Sequence, residues 1–295
     1  MDGLSWHAAQ DRAGPRHLEG NSMRAVVGID LRTDGHSWLL QRALAWGSRA
    51  GARIDLINFG PASDALERQK RLDVLLETLP EPFRGRALVE PAAPAEGLVQ
   101  ATMEADLLVV GSREPAALER WIHGPMATRV LRQARCPVLV PRAEHPPPMP
   151  AQLLVGVDIA DDAGATRVIG LAATWAQRFQ GRVSAAYAVA QSLPRIADKD
   201  VRERAERQWE ASFADERAKL EALLREHVPE GPRGEAMLLR GEPDDALIHA
   251  SAKADLVVVG NREREGLARL LGTVAQRVVR QAACDVLSLP TASMD

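Results

Sequence analysis

The sequence predicts an α/β protein made of two copies of one domain, each an open parallel sheet of five strands with helices on both faces. The first observation behind this prediction is a repeated string. Residues 105–114 read ADLLVVGSRE and residues 254–263 read ADLVVVGNRE. The endings repeat as well, with RVLRQARCPVLVP at 129–141 and RVVRQAACDVLSLP at 277–290. Between these strings, apolar β-branched runs alternate with segments of helical periodicity. That alternation implies parallel strands with right-handed helical crossovers, and the repeat implies duplication.

In the first half, short apolar runs predict the strands and the periodic segments between them predict the helices. The run MRAVVGID ends on Asp30, and apolar residues then recur every three or four positions until Gly51, as in an amphipathic helix. In ADLLVVG the four residues after Asp106 are continuously apolar, so we expect this strand to be buried on both faces. The predicted strands are 23–30, 52–59, 86–91, 105–111 and 136–141, and the predicted helices are 37–51, 64–79, 94–105 and about 125–134.

The second half repeats this order after a proline-rich linker. Residues 143–151 are unsuited to a helix or a central strand, so they divide a first domain, 23–142, from a second, 152–291. The predicted strands are 153–158, 182–189, 235–241, 254–260 and 284–290, and the predicted helices are 166–181, 191–228, 242–254 and one from about 272.

The repeat distance grows within the second half, which indicates an insertion of roughly twenty residues within 191–228. We predict one longer charged helix there. Its apolar stripe, which we expect to pack on the sheet, consists of Trp209, Phe213, Leu220 and Leu224. A partner-binding surface on this helix is the alternative.

Composition excludes several classes of protein. A chain of 295 residues suits about two domains, and a formal net charge of −3 offers no basic surface for nucleic acid. No window approaches the length of a membrane-spanning helix. Residues 1–22 lack the apolar core of a secretory signal and are predicted to be a disordered lead-in, so the cytoplasm is the expected location.

No motif for catalysis or metal binding is present. The strings G-x-G-x-x-G, G-x-x-x-x-G-K-[ST] and H-E-x-x-H do not occur, so neither catalytic residues nor metal ligands are predicted. The two cysteines, Cys136 and Cys284, occupy equivalent positions in the repeat and are expected to be inert core residues. If the two last strands pair antiparallel, these cysteines could approach each other.

Together these features resemble the universal stress protein family in its tandem form, with two UspA-like domains between Met23 and Pro290. The resemblance rests on the aspartate after strand one (Asp30, Asp158), the Gly-x-Pro turn at 241–243, the turns that begin at Gly111 and Gly260, and the C-P-V-L-V type of last strand. It implies an adenine nucleotide alpha hydrolase-like fold. Family members dimerise through the last strand, so the two halves are expected to form an internal pseudo-dimer, and a further homodimer stays open.

The resemblance also implies a nucleotide site in those members that bind ATP. Their pattern is G-x-x-G, nine residues, then G-[ST], in which glycines admit the phosphates and a helix N-terminus donates N–H groups. The implied contacts in the second domain are Asp158, Gly241, Pro243, Gly260, Asn261, Arg262, Gly272 and Thr273. Those in the first domain are Asp30, Gly111, Ser112 and Gly124.

Both copies depart from this pattern, because Glu114 and Glu263 stand where the second glycine is expected. A carboxylate there adds bulk and like charge, and at about 4 Å such repulsion reaches several kcal/mol per charge pair before screening. The first copy departs further. Pro125 has no N–H to donate at the helix start, and Ala92 replaces the turn glycine. ATP is therefore a candidate ligand of the second domain, and the first is expected not to bind it.

The leading hypothesis is a cytoplasmic universal stress protein with a non-enzymatic regulatory or stress-response role and no confident cofactor. The alternative is an ATP-binding, slowly hydrolysing member that uses the second-domain site. A third hypothesis is an interaction scaffold that uses residues 191–228. The sequence indicates no particular protein partner.

Overall fold

The strands form one continuous sheet in the computed structural model, which describes residues 23–32, 36–111, 125–142, 150–190, 199–261 and 273–290. The strands are β1 (Arg24–Gly28), β2 (Arg53–Phe59), β3 (Arg84–Glu90), β4 (Leu107–Val109), β5 (Val138–Val140), β6 (Gln152–Gly156), β7 (Arg182–Val189), β8 (Arg233–Arg240), β9 (Leu256–Asn261) and β10 (Asp285–Pro290). Their order across the ten-stranded sheet is β3-β2-β1-β4-β5-β10-β9-β6-β7-β8. Every neighbouring pair is parallel except β5 and β10, which are antiparallel.

The helices cover both faces of this sheet, as the sequence predicts. They are α1 (His36–Ala50), α2 (Ala65–Glu77), α3 (Pro94–Ala101), α4 (Pro125–Gln133), α5 (Asp162–Phe179), α6 (Lys199–Ser212), α7 (Ala214–His227), α8 (Pro243–Ala250) and α9 (Thr273–Gln281). One buried apolar cluster joins α1, α2, α5 and α7 to the sheet, and a second cluster joins α3, α4, α8 and α9 to the opposite face. The predicted α/β class is therefore confirmed.

The two halves meet through their last strands, so the arrangement is an internal pseudo-dimer. Val286 lies opposite Val140 and Ser288 opposite Val138 in the antiparallel pair. Equivalent helices meet as well, because Gln276 Nε2 donates a hydrogen bond of 3.3 Å to Thr128 Oγ1, its counterpart 148 positions earlier. On the other face of the sheet, the ring centroids of Trp46 and Trp175 lie 5.4 Å apart.

One buried ion pair makes this junction asymmetric. Asp285 Oδ2 lies 3.1 Å from Arg42 Nε, and both side chains are almost fully buried. Asp285 also accepts a hydrogen bond of 2.8 Å from the backbone N–H of Arg142. The equivalent position in the first copy is Pro137, which has no such carboxylate.

The segment 191–228 differs from the single helix that we predicted. Residues 191–198 lie outside the described part of the chain, and the rest forms α6 and α7, separated by Phe213 with φ −120° and ψ 28°. The break lets α7 lie on the sheet with Leu220 and Leu224 buried, while α6 carries Trp209 to the end of β8. The prediction of one helix was therefore wrong. The predicted packing of the stripe on the sheet holds for Leu220 and Leu224, whereas Trp209 packs against Phe213 and Arg240.

Smaller differences concern the ends of elements. Helix α3 ends at Ala101 rather than at residue 105, and β9 continues through Gly260 to Asn261, because β10 offers a pairing partner as far as Pro290.

The cysteines do not approach each other across the junction. Cys136 precedes β5 and Cys284 precedes β10, so the antiparallel pairing separates them to opposite ends of the two strands. Both thiols are free and buried. Burial raises the pKa of Cys136, and burial together with the charge of Asp285 raises the pKa of Cys284 to about 12. Both are therefore protonated and poorly reactive near neutral pH.

Within the described ranges, no helix is both long enough and apolar enough to span a bilayer.

Candidate functional site

The strand order contains one point in each half where the order of connection reverses. In the first half this point lies between β1 and β4, and in the second between β6 and β9. Ligands of open parallel sheets bind beyond the carboxyl ends of the strands at such a point. Asp30 and Gly111 follow β1 and β4, whereas Asp158 follows β6 beside Gly260 near the end of β9. The structure thus brings the predicted aspartate and turn glycine together in both halves.

The two aspartates have different surroundings. Arg32 engages both carboxylate oxygens of Asp30, with Nε at 2.9 Å from Oδ1 and Nη2 at 2.8 Å from Oδ2. This hydrogen bonding and the charge of Asp30 raise the pKa of Arg32. In the second half the equivalent residue is Ala160, whose backbone N–H donates a hydrogen bond of 3.0 Å to Asp158 Oδ1. No guanidinium can therefore come from that position in the second copy.

The turn after the third strand also differs between the copies. Gly241 has φ +107°, a conformation that side chains rarely adopt, and its N–H donates to Val189 O at 2.9 Å. Glu242 is extended and Pro243 is the first residue of α8. In the first half, Ala93 is likewise extended before Pro94. Among the described residues, however, Ala92 is not one of those with positive φ, so the left-handed turn occurs only in the second copy.

An ion-pair network, which the sequence analysis missed, ties this turn to the last helix. Arg277 on α9 contacts Asp244 at 2.5 Å and Asp245 at 2.6 Å, in the first turn of α8. The first copy repeats the contact, because Arg129 lies 3.0 Å from Glu96. The sequence signal that could have predicted this network is the recurrence of a basic and an acidic residue at equivalent positions in both copies.

Asp244 is held ionised by this network. Burial alone would raise the pKa of its carboxyl group, but the backbone N–H of Asp245 and the hydrogen bond and charge of Arg277 outweigh that effect and lower the pKa. The pairing therefore favours a fixed distance between α8 and α9, the two helices that begin at the predicted ligand turns.

The remaining predicted contacts are only partly within the described residues. Asn261 is the last residue of β9 and is buried, rather than part of an open polar turn, and α9 begins at Thr273. Ser112, Glu114, Gly124, Arg262, Glu263 and Gly272 lie outside the described residues. No group of three or more metal-ligating side chains occurs in the described ranges.

Comparison with known proteins identifies the family. The family model described as "Universal stress protein family" matches residues 22–142 and again residues 149–290. The chain belongs to the universal stress protein family. Two matches in one polypeptide make it a tandem member.

Relatives and solved structures agree with this membership. The chain is similar to Universal stress protein Rv2005c of Mycobacterium tuberculosis, with 30% identity over 210 residues that span 66% of this chain and 65% of that protein. It is also similar to Universal stress protein Rv2623 of the same organism, with 31% identity over 216 residues, 68% of this chain and 66% of the relative. The chain thus matches slightly less than two thirds of the length of these relatives.

A universal stress protein from Archaeoglobus fulgidus shares the fold over 93% of this chain and 98% of its own, with a TM-score of 0.65 at 14% identity.

Proposed function

We propose that this chain is a non-enzymatic, cytoplasmic regulatory protein of the stress response, in which both inherited nucleotide sites are degraded. Glu114 in the first half and Glu263 in the second replace the glycine that would admit a polyphosphate. Any ligand sensing is confined to the second half.

The observation that carries this proposal is the ion pair between Arg32 and Asp30. Both oxygens of Asp30 are engaged by a guanidinium, so a ligand donor would have to displace it before binding. In the second half the position equivalent to Arg32 is Ala160, which has no guanidinium to place on Asp158. The exposed pair of Arg32 and Asp30 adds a modest competitor at Asp30 to the effect of the glutamate in the first phosphate turn.

The glutamate in each of the two turns argues against phosphoryl chemistry. Hydrolysis of ATP needs donors and cations where negative charge develops on the transferred phosphoryl group. A glutamate at the phosphate turn is negatively charged, as the phosphates are, so it disfavours both the binding of ATP and its hydrolysis.

The experiment is a thermal-unfolding titration with MgATP on the wild type, Glu263→Gly and Glu114→Gly. We expect no saturating rise in the wild type at millimolar MgATP. We expect a saturating rise in Glu263→Gly, which at a hundredfold excess over Kd corresponds to about 2.7 kcal/mol. Glu114→Gly is the matched control and should show no rise, because Arg32 and Ala92 remain.

A second candidate function is ATP binding with slow hydrolysis in the second half, favoured by the left-handed turn at Gly241. It predicts a saturating rise of the melting temperature in the wild type that disappears in Gly260→Glu. It also predicts release of phosphate from MgATP above a protein-free blank. These results would replace the first proposal with the second.

A further inference from the structure

The turn that carries Asp158 is closed by its own backbone. Asp158 O accepts a hydrogen bond of 3.0 Å from the N–H of Asp161, and Asp158 Oδ1 accepts one from Ala160 N. Asp161 then caps α5 by accepting a hydrogen bond of 3.2 Å from Gly164 N. The orientation of the Asp158 carboxylate therefore depends on the path of residues 158–162.

Lys219 holds this turn from outside. Its Nζ, on α7, donates a hydrogen bond of 2.6 Å to Ile159 O and lies 2.8 Å from Asp162 Oδ1. One ammonium thus contacts the residue directly after Asp158 and the first residue of α5. Because Ile159 is itself buried in the core, the turn is fixed on both sides.

The first half contains the same contact, built from another residue. Arg71 Nη2, on α2, donates a hydrogen bond of 2.8 Å to Leu31 O. Leu31 follows Asp30 as Ile159 follows Asp158, a separation of 128 positions, whereas Arg71 and Lys219 are 148 positions apart. The insertion that contains α6 falls between these two points. The contact therefore survives a change of chain length and a change of residue type.

We propose that Lys219 is a positioning residue of the second-half ligand site, which fixes the turn at residues 159–162 and thereby orients the Asp158 carboxylate at the carboxyl end of β6. The inference rests on the part of the proposed function that assigns ligand sensing to the second half. In this proposal Lys219 acts through its contact with the backbone of Ile159.

The experiment compares Lys219→Met with Lys219→Arg in the Glu263→Gly chain, where MgATP is expected to bind. Amide hydrogen exchange at Ala160 and Asp161 and the Kd for MgATP are measured together. We expect Lys219→Met to raise exchange at both amides and to weaken MgATP binding about five- to tenfold, less than a fully buried charged hydrogen bond would give because the Lys219 side chain is partly exposed. Lys219→Arg should restore both values, since arginine makes the same contact in the first half.

Two further variants serve as controls. Arg71→Met deletes the equivalent contact in the first half, so it should raise exchange near Leu31 and leave the Kd of the second half unchanged. Lys253→Met removes an exposed lysine and should change neither.

Unchanged exchange in Lys219→Met would overturn the inference, and so would raised exchange with an unchanged Kd. If the Glu263→Gly chain binds no MgATP at all, the assignment of a ligand to the second half fails. The exchange data then still decide whether Lys219 holds the turn.

Discussion

At the scale of single residues, Gly241 distinguishes the second of the two predicted ligand turns from the first. Glycine adopts its φ of +107° readily, whereas residues with a side chain rarely do. A Cβ added at this position would meet no atom within 4 Å. Steric overlap therefore contributes nothing to the cost of a substitution. The whole cost is conformational, and for such backbone strain it is about 1–3 kcal/mol.

We expect Gly241→Ala to lower the free energy of unfolding by that amount, as measured by urea denaturation. Gly231→Ala is the matched control, because Gly231 has equally open space and no positive φ, and it should be neutral or slightly stabilising. Equal stability of the two variants would contradict the strained turn. The same Gly241→Ala change in a chain that binds MgATP would also report how far the turn contributes to affinity.

The sequence predicted candidate site residues that lie at strand ends, and it did not reveal the contacts that depend on side-chain pairing. Asp30, Asp158 and Gly241 stand at strand ends, where periodicity stops, and this marks them. Arg277 and Lys219 contact segments far away in the chain, and neither helical nor strand periodicity records such pairs. The duplication supplied a signal all the same, since a basic residue recurs at the equivalent position of each copy.

At the scale of elements, α6 is the part of the second half that has no counterpart in the first. Trp209 attaches it to the sheet and is 5% exposed. The centroids of the Trp209 and Phe213 rings lie 5.1 Å apart. The Arg240 guanidinium stacks over the Trp209 ring, 4.5 Å from the centroid of that ring. Glu206 adds a contact of 3.8 Å to Arg240, which directly precedes the Gly241 turn. The rest of α6 is mainly charged, so one aromatic side chain carries most of its attachment.

We therefore expect Trp209→Ala to release α6 and to leave the rest of the fold in place. Limited proteolysis should cut residues 199–213 faster, while the main thermal transition moves little, because α6 would open as a local unit. Trp46→Ala is the control within the central core and should cost about 3–5 kcal/mol of global stability. A global loss of that size in Trp209→Ala would show that α6 belongs to the cooperative core.

The sequence located the strands and most helices to within a few residues, but not the break at Phe213. The cause is that Trp209, Phe213, Leu220 and Leu224 recur at helical spacing across the break, so the periodic pattern has no interruption there. The position of the break depends on what each helix covers, namely the sheet face for α7 and the end of β8 for α6. That information belongs to the tertiary structure.

At the scale of the whole molecule, the buried pair of Arg42 and Asp285 connects α1 of the first half with β10 of the second. Removal of one partner leaves the other charge buried without this counterion. Removal of one partner of a buried ion pair lowers the free energy of unfolding by about 3–5 kcal/mol. Replacement of both partners by apolar groups lowers it far less.

We expect Asp285→Ala to destabilise the chain by about 3–5 kcal/mol and the double variant Arg42→Met with Asp285→Leu to recover most of that loss. Thermal or urea unfolding of Arg42→Met, Asp285→Leu and the double variant forms a complete double-mutant cycle. Additive losses in that cycle would contradict a direct coupling across the junction. The counterpart of Asp285 in the first half is Pro137, so a last strand of this kind can begin without a carboxylate.

The arrangement of the two halves was predictable from duplication and resemblance together, whereas its asymmetry was not. Equal strings at 105–114 and 254–263 imply equal domains, and the last strands do pair antiparallel. The ion pair at Asp285 and the extra helix α6 break this equality. Both features arise where the sequences of the two copies differ. A repeat pattern contains only what the copies share, so it could not predict them.

The antiparallel pairing of β5 with β10 takes place within one covalent chain. Dilution therefore cannot separate the two halves, in contrast to a dimer of separate subunits, whose assembly depends on concentration. Because the strands of the two halves run in opposite directions, the carboxyl ends of their strands lie at opposite edges of the sheet. Every molecule thus carries one left-handed turn and one altered turn in a fixed stoichiometry, however little of the protein a cell contains.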